Sequence, residues 1–335
     1  MQPPDLGEFE LIRRFFSRAA PPRSESGVIL GIGDDAALLK LPRGTDLVAT
    51  VDTVVAGRHF PDGTDARSVG HRALAVNLSD LAAMGATPSW ATLALTLPAA
   101  DPHWLARFAA GLFDLADAHG VALVGGDTTR GPLTVTIQLL GHVPHGTALR
   151  RSGARAGDLL AVSGTLGDAG AGLLFASAPP AAAARRDVEE LIRRFDYPCP
   201  RVQLGISLRG IATAAMDLSD GLVGDLPKLA QASALHAHVS VERLPLSAAM
   251  RAAANPLQAR DWALAARDDY ELLFAVPPQR YAELQAAADR LNLTLTAIGE
   301  LRSGEGVSWS LNGEHFAPGT LGFDHFAQAS TQITV

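Results

Sequence analysis

Apolar positions recur along this chain with two periods. Between residues 66 and 84, Leu74, Leu78 and Leu81 fall at i, i+4 and i+7, which predicts an amphipathic helix with Gly85 as its C-cap. A second helix is predicted over 103–119, closed by Gly120. The segments "LVATVDT" (47–53), "ATLALTL" (91–97) and "LTVTIQLLGHV" (133–143) read as strands, the last with the clearest period-two alternation. "VALVGGDTT" (121–129) reads as a strand running into a glycine turn. After a Gly- and Arg-rich junction at 144–157, "DLLAVSG" (158–164) starts a new strand. "ASAPPAAAARR" (176–186) is a low-complexity connector. Beyond it come β and helix segments around 268–277, a helix at 278–291 and a loop-rich tail. Helices and strands mix in both halves without strict βαβ alternation, so the expected class is α+β, in two domains covering 1–148 and 149–335.

Composition narrows the field. The 335 residues suit two domains of ordinary size, and an apolar share of 47% can build a real core in each. The net charge of −7 and the lack of a Lys/Arg block argue against a dedicated nucleic-acid binder. Lys40 and Lys228 are the only lysines, which leaves few for Schiff-base chemistry or phosphate gripping. Cys199 is the only cysteine, so no intrachain disulfide forms and nothing hints at an oxidising compartment. The first residues hold no signal-peptide core, and no apolar run is long enough to span a bilayer. The expectation is a cytoplasmic protein with no membrane partner.

Against this background, acids stand out at strand ends and turns: "GIGDDA" (31–36), "TVDT" (50–53), "NLSD" (77–80), "GGDTT" (125–129) and "DLSDG" (217–221). One Gly-Asp turn is ordinary turn chemistry. Five such phrases are another matter, because carboxylates brought together repel and raise one another's pKa until a cation relieves them. Asp217 and Asp220, three apart, are expected to share a helix face. Oxygen-rich acid sites suit Mg²⁺ or Ca²⁺, and Mg²⁺ takes few carboxylates per ion while bridging to phosphates. So many acids predict more than one Mg²⁺ and a polyphosphate ligand. No Walker loop, protein-kinase set, H-E-x-x-H or Cys/His zinc spacing is present. "SGTLGDAGAG" (163–172) follows a strand and is a weak phosphate-loop signal; Arg151 is a candidate phosphate clamp. His59, on spacing alone, reads as structural.

Taken together, "GEFELIRRFF", "GIGDDAAL", "DTVVAGRHF", "ALAVNLSDLAAMGATP", "LVGGDTTRGPL", "RSGARAGD", "MDLSDGL", "DDYELLF" and "GFDHF" resemble the thiamine-monophosphate kinase family, within the superfamily of aminoimidazole-ribonucleotide synthetase. The resemblance implies a PurM-like fold: an N-terminal mixed sheet with helices that dimerises, then a C-terminal α+β domain. It implies a homodimer that transfers the ATP γ-phosphate to thiamine monophosphate, giving thiamine diphosphate and ADP. The implied metal ligands are Asp35, Thr50, Val51 (through its backbone), Asp52, Asp80, Asp127, Asp217 and Asp220. Gly126, Asp127, Arg151 and Ser219 would contact ATP; His59, Asp268 and Phe323 would contact thiamine monophosphate. Relatives often carry Gly-Glu-Asp-Tyr where this chain has Arg267-Asp268-Asp269-Tyr270.

Overall fold

In a computed structural model, residues 7–18, 27–177 and 185–319 are described. Phe323 with its "GFDHF" segment, and most of the connector at 176–186, lie outside them. The chain divides into two units: one runs to Leu81 and resumes over Ala86–Gly146, the other takes Ala82–Gly85 and everything from Thr147.

The first unit begins with α1 (Glu8–Leu11), which continues into a π-helical turn at Ile12–Phe16. β1 (Val28–Leu30) and β2 (Leu38–Leu39) form a two-stranded ribbon. There follow β3 (Thr45–Val55), α2 (Ala66–Ala83), β4 (Thr87–Leu97), α3 (Pro102–Ala118), β5 (Ala122–Arg130) and β6 (Thr134–Pro144). The four long strands make a sheet in the order β3-β6-β4-β5, mixed because β4 and β5 run parallel. Alternation decides its faces: Val135, Ile137, Leu139 and Val143 of β6 are buried, as are Leu74, Leu78 and Leu81 of α2 and Leu105 and Phe108 of α3. α2 and α3 approach so closely that a Cβ on Gly70 would lie 2.1 Å from the Phe108 carbonyl oxygen. On β3, Leu47, Ala49 and Val51 are exposed instead.

The second unit holds β7 (Leu159–Ser163), α4 (Asp168–Ala176), α5 (Arg186–Asp196), α6 (Val202–Leu208), β8 (Ala214–Asp217) and α7 (Leu222–Ala232). It continues with β9 (His236–Ser240), α8 (Ala248–Ala253), α9 (Pro256–Ala265), β10 (Leu272–Val276) and α10 (Tyr281–Asp289). It closes with β11 (Leu295–Arg302), β12 (Gly306–Leu311) and β13 (Glu314–Phe316). Their sheet runs β13-β12-β9-β11-β7-β10-β8, with β9 and β12 parallel and the other pairs antiparallel.

Two expectations need correcting here. Within its described residues the tail is not loop-rich: residues 295–316 supply three strands. A register shift between Ala297 and Gly299 breaks the alternation of β11 and hides it from a periodic reading. Nor does β5 end in a glycine turn; it passes through Gly125 and Gly126 as far as Arg130, because a register shift opposite Ala91 and Thr92 absorbs the irregularity. Among the described residues no helix is long and apolar enough to cross a membrane.

Candidate active site

A cavity of about 700 Å³ opens in the first unit. That volume lies within the range of about 300–1,000 Å³ usual for small-molecule sites. Its apolar side comes from Ile12, Phe16 and Leu93; its polar side comes from the Gly33–Asp34–Asp35 turn and from Gly126, Asp127 and Thr128 of β5. Three predicted residues, Asp35, Gly126 and Asp127, therefore share one cavity. Gly126 is required where it stands: its φ is +147°, and a Cβ there would meet the Leu93 carbonyl oxygen at 1.9 Å. The β5 backbone, with Asp127 next in line, is thus laid against β4 as no other residue allows. Asp34 joins the same wall and accepts the Asp35 N–H at 2.8 Å. Asp34 is a further functional candidate, the other half of the Asp34–Asp35 pair.

β3 places Thr50 and Asp52 on one face and the Val51 side chain, 60% exposed, on the other. The Thr50 hydroxyl donates to Asp80 Oδ2, so the strand and α2 bring this pair together. Just after β3, "VAGRHF" folds into a tight turn in which His59 N donates to the Val55 carbonyl at 2.9 Å. The His59 ring accepts the Val55 N–H at Nδ1, 3.0 Å away, which leaves the ring proton on Nε2. A histidine held in one tautomer can present a fixed donor to an anionic group.

In the second unit Asp217 ends β8 and is buried, while Ser219 and Asp220 form the turn before α7. Asp217 and Asp220 do not share a helix face, because Gly221 at φ +85° delays the helix to Leu222. The turn is built by Asp225 in the first turn of α7. Its buried Oδ2 accepts the N–H groups of both Ser219 and Asp220 at 2.9 Å. Lys228 bonds Asp220 Oδ2 at 2.7 Å and Asp225 Oδ1 at 2.8 Å. Partial burial works against the ammonium, but the hydrogen bonds it donates to the two carboxylates hold its pKa above the ordinary value. Asp225 and Lys228 were missed from sequence; their i, i+3 spacing on a predicted helix is the signal that could have found them.

Arg151 is exposed, and its backbone is tied to α7's end by Ser233 Oγ donating to its carbonyl at 3.0 Å. Its neighbour Arg150 accepts the Ala215 N–H of β8 at 2.8 Å. Asp268 lies in the loop before β10 with φ +73°, and Tyr270 donates from its hydroxyl to Asp268 Oδ1 at 3.1 Å. The loop's N–H at Asp268 donates to the Ser219 carbonyl at 3.0 Å. Asp268 and Ser219 are thus neighbours, as the sequence could not reveal. Among the described residues no three His, Cys, Asp or Glu side chains converge as a ready-made metal cluster. Carboxylates that do not by themselves form a cluster suit an ion that completes its shell with water and phosphate.

Comparison with known proteins places the chain in a family. Residues 33–143 match the family described as AIR synthase related protein, N-terminal domain, and residues 155–311 match its C-terminal domain. A thiamine-monophosphate kinase of Escherichia coli K12 is 46% identical over 96% of this chain and 98% of its own. The crystal structure of the thiamine-monophosphate kinase from Stenotrophomonas maltophilia K279a is 47% identical, with a TM-score of 0.80, covering 87% of this chain and 93% of that one. A structure of AaThiL complexed with AMPPCP and TMP is 32% identical, with a TM-score of 0.75, covering 97% and 99%.

Proposed function

This chain belongs to the thiamine-monophosphate kinase family, and from that membership we propose roles for the acids and their neighbours in each unit. The activity is ATP-dependent phosphorylation of thiamine monophosphate to thiamine diphosphate. The observation that carries the reading is the cavity in which Asp35, Gly126 and Asp127 meet. Its apolar wall suits a nucleoside and its acidic, glycine-backed wall suits a metal-bound phosphate chain.

The acceptor's phosphate has a second pKa of about 6, so near neutral pH it is already a dianion and needs no general base. One of its oxygens attacks the γ-phosphorus in line, the bond to the β-phosphate oxygen breaks, and ADP leaves with the electron pair. The obstacle is repulsion between two polyanions, which explains acids and an arginine in place of a catalytic histidine. Magnesium, more than one ion, would be held by Asp35, Thr50, the Val51 backbone, Asp52, Asp80, Asp127, Asp217 and Asp220, and would supply neutralisation of phosphate charge. Gly126, Asp127 and Ser219 are assigned to ATP, and Arg151 offers its phosphates a planar fork that a point charge cannot copy. His59 donates from Nε2 to the acceptor. Asp268 answers its cationic thiazolium, and Phe323 is assigned to the same substrate from the family pattern alone.

A homodimer belongs to the same proposal. Its support is the uncovered β3 face, with Leu47 at 51% and Val51 at 60% exposure on one side of a folded sheet. The deciding measurement of function is ADP release by the purified protein with Mg²⁺, offered thiamine monophosphate, unphosphorylated thiamine, or neither. Release is expected with the monophosphate only. Conversion of thiamine but not its monophosphate would overturn the assignment.

A further inference from the structure

We propose that Glu271 and Asp269 are positioning residues that lock the loop carrying Asp268, together with the Ser219–Asp220 turn, into one fixed arrangement. The proposal rests on the assignment of Asp268 to the acceptor and Ser219 to ATP made above.

The loop is not at rest by its own preference. Asp268 and Tyr270, neither of them glycine, hold φ values of +73° and +50°. Backbone of that kind persists only where the surroundings over-determine it, and such residues gather at functional sites. Two buried carboxylates supply the constraint. Glu271, 0% exposed, receives Arg194 Nη2 at 2.9 Å on Oε1 and Arg201 Nε at 2.7 Å on Oε2. The Ser163 hydroxyl adds a donor to Oε2 at 2.6 Å, and itself accepts the Leu272 N–H at 2.9 Å. The carboxylate fills the space beside Gly164 so fully that a Cβ there would lie 2.2 Å from Oε1. Asp269, also buried, accepts the Gly167 N–H at 2.6 Å and the Ala169 N–H at 3.4 Å at the start of α4.

What these anchors fix is then passed on by main-chain bonds. Leu218 N donates to the Glu271 carbonyl at 2.9 Å, Tyr270 N to the Leu218 carbonyl at 2.9 Å, and Asp268 N to the Ser219 carbonyl at 3.0 Å. The acid turn and the acceptor loop are zipped into one body, clamped from behind by Arg194, Arg201 and the 164–169 segment. A displacement at either anchor moves the carboxylate of Asp268 and the backbone of Ser219 together.

The test uses the full-length protein, with kcat and KM for both substrates determined per folded molecule. Glu271→Gln and Asp269→Ala are expected to raise the KM for thiamine monophosphate about tenfold and the KM for ATP in the same direction, with native circular dichroism. Asp269→Asn still accepts the Gly167 N–H and should recover most of the loss. Should Glu271→Gln fail to fold, Arg201→Lys, which keeps the charge but not the fork, serves in its place with a smaller rise expected. Asp268→Ala separates the two levels. If it leaves the acceptor KM unchanged, the assignment of Asp268 falls and this proposal with it. If it raises that KM while the anchor variants only lower the melting temperature, the positioning role alone is overturned.

Discussion

Asp80 and Asp220 were both singled out in the sequence as acids, yet they sit in different company. Asp80 takes a hydrogen bond from Thr50, whereas Asp220 is paired with the ammonium of Lys228. Asp80→Asn and Asp220→Asn are each expected to abolish ADP release at saturating Mg²⁺ while keeping the native circular dichroism spectrum, because losing a metal ligand removes several kcal/mol of charge stabilisation. Asp220→Asn should also lower the melting temperature, since it breaks the ion pair with Lys228. Full activity in either variant would end the metal-ligand assignment for that residue. A second residue-scale expectation concerns pH. Burial pushes the Asp269 carboxyl well above the ordinary carboxylate range. The folded state therefore keeps a proton that the unfolded state releases, and stability falls as pH rises between the two pKa values. Glu271 acts oppositely: full burial would raise it, but Arg201 and Arg194 hold it below 4.5, so its contribution is present above that value and lost on acidification. Asp269→Asn should thus shift the melting temperature more favourably at about pH 8 than at about pH 5. An equal shift at both would show that the carboxyl ionises freely.

At the scale of elements, α2 carries Asp80 and is held against α3 through Gly70. Gly70→Ala would drive a Cβ into the Phe108 carbonyl, 2.1 Å away, and should cost about 1–3 kcal/mol of unfolding free energy in denaturant melts. Neutral behaviour would mean the helices can slide apart. Elements like these were legible because they have one buried and one exposed side. The helix expected at 66–84 is Ala66–Ala83, and the strand expected at 133–143 is Thr134–Pro144. β8 is buried on both sides, so it carries no alternation to read. The acids at 217 and 220 show the same limit in the site: a spacing of three fits a helix turn and a tight loop equally, and only the positive φ of Gly221 selects the loop. The Asp34, Asp35 and Asp127 grouping depends on strands far apart in sequence, and the Lys228 pairing on where α7 begins; periodicity reports neither. The acid phrases themselves were visible at once, because nothing in a hydrophobic pattern calls for them.

For the molecule as a whole, the proposed dimer face gives a direct check. Leu47→Asp puts a charge on the exposed side of β3, on the face opposite that of Thr50 and Asp52. It should convert a dimer to a monomer in sedimentation velocity, with little change in the far-ultraviolet spectrum. A wild-type chain that sediments as a monomer at all concentrations would remove the proposal.

The strand order of the second unit also has a consequence in time. β7 lies between β10 and β11, and Val162 pairs with Leu273 on one side and Thr296 on the other. Both partners come more than a hundred residues later in the chain. During synthesis β7 emerges early and waits, with both edges unpaired, until the segment beyond Leu272 follows it out. Long-range closure of this kind slows folding, and unpaired strand edges invite association with other chains in the meantime. A chain interrupted before Leu272 would keep its first-unit sheet but leave β7 without either neighbour, and is expected to partition into aggregates when released from the ribosome.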